Sequence, residues 1–133
     1  ALLGSVAREA GLGDDVVHGD APPWSLDPMR MRQVLGNLVG NAIAAAPDGA
    51  VELGVRVEGE TLVFTVRDHG SGIPEGMHDA IFEPFHTTKA QGTGLGLAVA
   101  RDIVSKHGGT VTAHDAPGGG ALFLVQFHAT SSI

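Results

Sequence analysis

Seven apolar residues, Met31, Val34, Leu35, Leu38, Val39, Ala42 and Ile43, recur at spacings of three and four. A long amphipathic helix puts that set on one face. Asp27-Pro28 reads as an N-cap followed by proline at the first helical position, and Pro47-Asp48-Gly49 reads as the stop. A helix with so apolar a face needs a broad surface to cover it. Two pairs of strand-like stretches offer one. VELGVRV and TLVFTVRD are joined through Glu58-Gly59-Glu60 as a hairpin turn, and TVTAHDA and ALFLVQF are separated by Pro117-Gly118-Gly119-Gly120. A short strand is expected within residues 16–21, before Pro22-Pro23. A second helix is expected at about residues 95–106, terminated by Gly108-Gly109. Residues 77–91 carry no clean period. Helices and hairpins over one sheet specify an α/β fold, a two-layer sandwich with the helices packed on one mixed sheet.

Composition bounds the rest. A chain of 133 residues with 43% hydrophobic content fits one domain with one core. Twenty glycines suggest loops that turn sharply or approach a ligand closely. The formal charge is −7 with only 8 Lys and Arg and no basic run, which argues against nucleic acid or a membrane surface as partner. The absence of cysteine removes disulfides and thiolate metal sites and fits a reducing, cytoplasmic compartment. No apolar stretch approaches the length that spans a bilayer, and no secretory signal opens the chain. The Ala-rich start over residues 1–15 is expected to be a linker or first helix entered from a longer protein.

Four blocks can carry chemistry. Asn37 and Asn41 lie four apart, on one face of the first helix. They read either as solvated surface amides or as hard oxygen ligands for Mg²⁺ and donors to phosphate. Asp68-His69-Gly70-Ser71-Gly72-Ile73 follows a strand directly. These are ordinary turn residues, yet a strand-end carboxylate also suits the exocyclic amine of a base, with glycines admitting its flat face. Gly92-Thr93-Gly94-Leu95-Gly96-Leu97 opens the second helix, where exposed backbone N–H groups bind phosphate. No strand precedes it and no GK[ST] follows, so neither a dinucleotide fingerprint nor a P-loop is present. Ile81-Phe82-Glu83-Pro84-Phe85-His86-Thr87-Thr88-Lys89 reads as a loop anchored by two aromatics or as a lid that brings hydroxyls and a cation to phosphates.

In this order the blocks resemble the ATP-binding domain of sensor histidine kinases, which shares a superfamily with gyrase, Hsp90 and MutL. QVLGNLVGNAIAAA is similar to the N box of that family, VRDHGSGI to its G1 box, IFEPFHTTK to its F box and GTGLGLAVARDIVSKHGG to its G2 box. The likeness is strongest to the nitrogen- and flagellar-regulator type. It implies a Bergerat-type sandwich that holds ATP and Mg²⁺. By this resemblance Asn41 ligates Mg²⁺ with Asn37 beside it, the two forming the catalytic and metal set. Asp68 takes the adenine amine, helped by Gly70, Gly72 and Ile73. Gly92, Thr93, Gly94, Leu95, Gly96 and Leu97 meet the phosphates, and Thr87, Thr88 and Lys89 approach from the lid. The Phe82/Phe85 region faces the dimerisation and histidine-phosphotransfer domain of the same kinase, and a response regulator follows downstream. The chain departs from the family at Ala44, where many relatives are basic, and at His86, where relatives of this subtype have Phe.

The phosphoacceptor pattern of the family, like His-Glu-x-x-x-Pro, fits none of the seven histidines. The chain alone is therefore expected to bind nucleotide as a monomer without phosphorylating itself. Two relatives of the superfamily compete with this reading, a serine-kinase anti-sigma factor and a gyrase-like ATPase. Asn37 argues against the second, which would carry a glutamate there to activate water, and the FEPF motif disfavours the first. A pure interaction module that has lost nucleotide binding is disfavoured by the intact Asn41, Asp68, Gly72 and glycine-rich block.

Overall fold

The computed structural model of the chain describes residues 17–18, 28–45, 51–70, 72–83 and 96–128. They form strand β1 (Val17–His18), helix α1 (Pro28–Ala45), strands β2 (Val51–Glu58) and β3 (Thr61–Asp68), a 3-10 turn (Ala80–Phe82), helix α2 (Gly96–Lys106), and strands β4 (Gly109–Asp115) and β5 (Ala121–His128). The strands make one sheet in the order β1-β2-β3-β5-β4. β1 runs parallel to β2 and the other neighbours pair antiparallel, so the sheet is mixed. The expected linker at 1–15, the N-cap Asp27 and the stop at Pro47-Asp48-Gly49 lie outside the described residues.

The core follows the two periods of the sequence. On α1, Met31, Val34, Leu35, Leu38, Val39 and Ala42 are all buried, with Ile43 at the margin. Strand alternation turns Val51, Leu53 and Val55 of β2, Leu62, Phe64 and Val66 of β3, and Phe123, Val125 and Phe127 of β5 to the same layer. Ala100, Ile103 and Val104 of α2 complete it. Each of the larger side chains among these contributes roughly 1.5–3 kcal/mol on leaving water, which is what holds the helical layer on the sheet. Among the described residues no helix is long and apolar enough to cross a membrane.

Three sequence expectations are refined. The strand expected within 16–21 is described as a strand at Val17–His18. The described part of the stretch at 77–91, residues 77–83, contains a 3-10 turn that buries a ring: Phe82 sits edge-on to Phe123 at 6.1 Å, with the Arg101 guanidinium 5.1 Å from its centroid. Phe82 is thus a core residue, not a residue that faces a partner. Gly109 starts β4 and does not end the helix; the helix is left through His107 and Gly108. Gly109 stands opposite Phe127, and a Cβ on it would lie 2.6 Å from the Gln126 carbonyl oxygen and from Phe127 Cδ1. Only the absence of a side chain lets the strands pair there.

Two glycines therefore respond in opposite directions to the same change. Gly109→Ala is expected to cost about 1–3 kcal/mol by overpacking. Gly36 is exposed in the interior of α1 with nothing within 4 Å of an added methyl. Gly36→Ala is expected to add about 0.5–1 kcal/mol of stability. Thermal unfolding by circular dichroism reads both, and melting temperatures that fail to move apart would contradict the packing at Gly109.

Candidate functional site

The strand register brings several described strand ends together around Asp68. Val51 pairs with Asp68, and Asp115 pairs with Ala121, so the start of β2, the end of β3, the end of β4 and the start of β5 lie together. Ala45 and Val51 are separated by residues 46–50, a reach of roughly 20 Å at most, so the C-terminal half of α1 belongs to this end. Lys106 leads within three residues to Gly109 at the far end, and α2, about 16 Å long, runs its first turn back toward the near end. The chain path thus directs the second half of α1, with Asn37 and Asn41, toward the end of the sheet that holds Asp68, and a hydrogen bond joins Asn37 to Gly96.

Asp68 is the buried charged residue of the described core, at 1% exposure. Its Oδ1 accepts from the Gly70 backbone N–H at 2.9 Å and from the Ala121 backbone N–H at 3.1 Å. The first bond is local and bends the chain into the loop after β3, as aspartates do at turns. The second joins residues 53 apart and fastens that loop to β5. Among the described residues only Oδ1 is engaged, which makes Oδ2 the oxygen with acceptor capacity to offer. Gly72 follows closely, with a hypothetical Cβ 3.6 Å from the Gly120 carbonyl oxygen, and Ile73 packs at the margin of the core.

Asn37 and Asn41 are both half-buried on α1. Asn37 is already committed: its Nδ2 donates to the Gly96 carbonyl at 3.1 Å, tying α1 to the first residue of α2. The side chain expected beside a metal thus also anchors the helix start that follows the glycine run. Gly96 and Leu97 are half-buried in that first turn. Thr87, Thr88, Lys89, Gly92, Thr93, Gly94, Leu95 and Phe85 lie outside the described residues.

The histidines with described side chains are satisfied singly and do not cluster. His69 Nε2 lies 3.0 Å from Glu52 Oε1 and His78 Nε2 lies 2.9 Å from Asp115 Oδ1, so one pair bounds each end of the loop after Asp68. His107 meets the Ile103 carbonyl, His114 meets Thr112, and His128 meets Thr61. Sequence reasoning missed Arg67, Gly120 and Ala121. The first lies next to Asp68, the second ends the turn before β5 and the third starts β5, where the run of three glycines was the one available signal.

The family described as histidine kinase-, DNA gyrase B-, and HSP90-like ATPase matches residues 26–131. A sensor histidine kinase of Klebsiella oxytoca, ZraS, is 50% identical over 99 residues, covering 73% of this chain and 21% of that protein. The virulence sensor protein BvgS of Bordetella bronchiseptica is 42% identical over 144 aligned residues, covering 97% of this chain and 12% of that protein. The chain thus spans about a fifth of the length of such relatives, or less. Among solved structures, the nucleotide-free catalytic domain of the histidine kinase ThkA superposes with a TM-score of 0.80 at 31% identity, covering 96% of this chain and 90% of that one. Full-length ShkA in complex with AMPPNP superposes with a TM-score of 0.72 at 30% identity, covering 99% of this chain and 29% of that one.

The Asn37–Gly96 bond makes a prediction of its own. Asn37→Ala removes a donor and leaves a part-buried carbonyl unmet, which is expected to cost about 1 kcal/mol. Urea unfolding measures the loss, and faster amide exchange in the first turn of α2 than elsewhere in that helix locates it. Unchanged exchange there would mean that the bond does not hold the helix start.

Proposed function

Because the chain belongs to the histidine kinase-, DNA gyrase B- and HSP90-like ATPase family, as a catalytic domain of the histidine kinase type, we propose that it binds Mg-ATP and delivers the γ-phosphoryl group to a histidine on a separate dimerisation domain. The observation that carries this reading is Asp68: a buried carboxylate with one oxygen held by two backbone donors and the other left to accept from an adenine 6-amino group. The similarity to a kinase crystallised with AMPPNP supports the same ligand class.

Each residue has a part in this proposal. Gly70, Gly72 and Ile73 line the base beside Asp68. Gly92, Thr93, Gly94, Leu95, Gly96 and Leu97 offer backbone N–H groups to the phosphates where a helix begins. Thr87, Thr88 and Lys89 add hydroxyls and a cation, with Lys89 standing in for the basic residue that Ala44 replaces. Asn41 offers a neutral, half-buried amide oxygen, which suits Mg²⁺ shared with phosphate oxygens. Bound there, the ion would neutralise phosphate charge. Asn37 keeps α2 in place beside it.

In the transfer a histidine ring nitrogen attacks the γ-phosphorus in line, the P–O bond to the bridging oxygen breaks, and ADP departs. The domain supplies position and charge neutralisation, the main protein contributions to phosphoryl transfer. The chain itself acts as one catalytic domain. It is monomeric and cytoplasmic, and Phe85 faces the dimerisation domain. A response regulator would take the phosphoryl group next.

Calorimetry on three proteins tests the site. Asp68→Asn keeps an oxygen for the Gly70 and Ala121 donors but turns an NH₂ toward the adenine amine, and is expected to weaken Mg-ADP binding by about 30- to 100-fold in a folded protein. Asn41→Ala is expected to lose affinity with Mg²⁺ present and little with the metal chelated. Unchanged affinity in both variants rejects the assignment. For the transfer, the chain is mixed with a purified histidine-bearing dimerisation domain and radiolabelled ATP. Acid-labile, base-stable label on that domain is expected, and label on serine would favour the serine-kinase reading instead.

A further inference from the structure

The turn between β4 and β5, residues 116–120, does more than reverse the chain. Its three consecutive glycines all take left-handed backbone, with φ of 85° at Gly118, 113° at Gly119 and 87° at Gly120. Their surroundings differ. A Cβ on Gly119 would meet nothing within 4 Å. A Cβ on Gly120 would be driven into the Asp68 carbonyl oxygen and would lie 2.8 Å from the Asp68 carbonyl carbon and 2.9 Å from His69 Cα. Backbone therefore presses on backbone where the candidate base-binding loop begins.

The turn is also fixed from outside. The Ala116 N–H donates to the Gly120 carbonyl and the Gly119 N–H to the Ala116 carbonyl, each at 3.0 Å. Arg67 Nη2 donates to the Pro117 carbonyl and, at 3.5 Å, to the Gly119 carbonyl. Arg67 and Asp68 are chain neighbours on opposite faces of β3, so the turn is held by one and touches the other. The next residue, Ala121, gives its N–H to Asp68 Oδ1.

Resting on the adenine role given to Asp68 above, we propose that this turn is part of the nucleotide site, with Gly120 and Arg67 as positioning residues that set the orientation of the Asp68 carboxylate and hence the preference for adenine. The Ala121 N–H holds Oδ1, and Oδ2 is rigidly coupled to Oδ1 through the carboxylate plane. A displaced turn moves Ala121, releases Oδ1 and swings Oδ2 off the line to the base. The phosphate end of the nucleotide lies on other elements and is untouched by this rotation.

Inosine triphosphate carries a carbonyl in place of the adenine 6-amino group, so the ratio of ATP to inosine triphosphate affinity isolates Oδ2. It is measured by calorimetry on the 133-residue chain and on four variants. The wild-type chain is expected to prefer ATP, and Asp68→Asn to lose that preference. A wild-type ratio near one, or one unmoved by Asp68→Asn, overturns the adenine reading itself and the proposal with it. Given a wild-type preference, Gly120→Ala is expected to lower the ratio about tenfold, the value of one hydrogen bond to a charged group. Gly119→Ala carries the same backbone strain in open space and is expected to keep the ratio. Arg67→Gln unfastens the turn without a clash and is expected to lower the ratio part of the way in a folded protein. A purely structural turn would lower melting temperatures and leave every ratio alone. Ratios preserved in both Gly120→Ala and Arg67→Gln overturn the proposal, as does an equal loss in Gly119→Ala. Should Gly120→Ala not fold, Arg67→Gln decides, and an unchanged ratio there overturns it.

Discussion

A carboxylate taken out of water must be met by donors, and Asp68 is met by two backbone N–H groups, one two residues on and the other 53 residues away. An unmet charge at 1% exposure would cost several kcal/mol, so the loop after β3 and the start of β5 are not free to drift. This one requirement fixes much else. It sets the bend at Gly70 and joins the two hairpins at their shared end. It also demands an approach of the β4–β5 turn so close that only glycine fits at position 120. The carboxylate is thus a structural knot and, among the described residues, a group with one oxygen unengaged.

Stability and chemistry occupy different parts of the fold. Apolar side chains of α1, α2, β2, β3 and β5 fill the layer between helices and sheet, and that layer tolerates no polar interruption until the strand ends. At the near end the strands stop, glycine replaces bulk, and backbone groups become the working surface. A rigid sheet beneath irregular loops is a common way to hold functional groups in register. The two His–carboxylate pairs, His69–Glu52 and His78–Asp115, sit at the margins of the same loop and join it to β2 and β4. Exposed pairs of this kind add little energy, so the buried bonds of Asp68 dominate the loop's position.

Much of this was legible in the sequence because periodicity is a local signal. The spacing of Met31 to Ile43 located α1 and its buried face, and alternation located both hairpins. Asp68 was singled out by its place at a strand end. The features that escaped are contacts between residues far apart in number. Nothing near Gly109 says that Phe127 will lie across it, and nothing near Gly120 says that Asp68 will. Phe82 reads with Phe85 as a loop anchor or as part of a region that faces a partner, because spacing cannot tell a ring that faces out from one that turns in against Phe123. The glycine run at 118–120 was visible only as a break between two strands, whereas the meaning of Gly120 is steric.

Asn37 shows how a structural demand can constrain a chemical one. Its NH₂ group donates to the Gly96 carbonyl, a bond that a carboxylate at the same place has no proton to make. A glutamate at 37, the residue a water-activating relative would carry, would set a negative charge against that carbonyl oxygen and loosen the start of α2. The amide holds the helix start that follows the glycine run, and in the proposed transfer it would place no base at position 37 to direct water at the γ-phosphate. Under the proposed function, the side chain that orders the start of α2 would also be the one that favours transfer over hydrolysis.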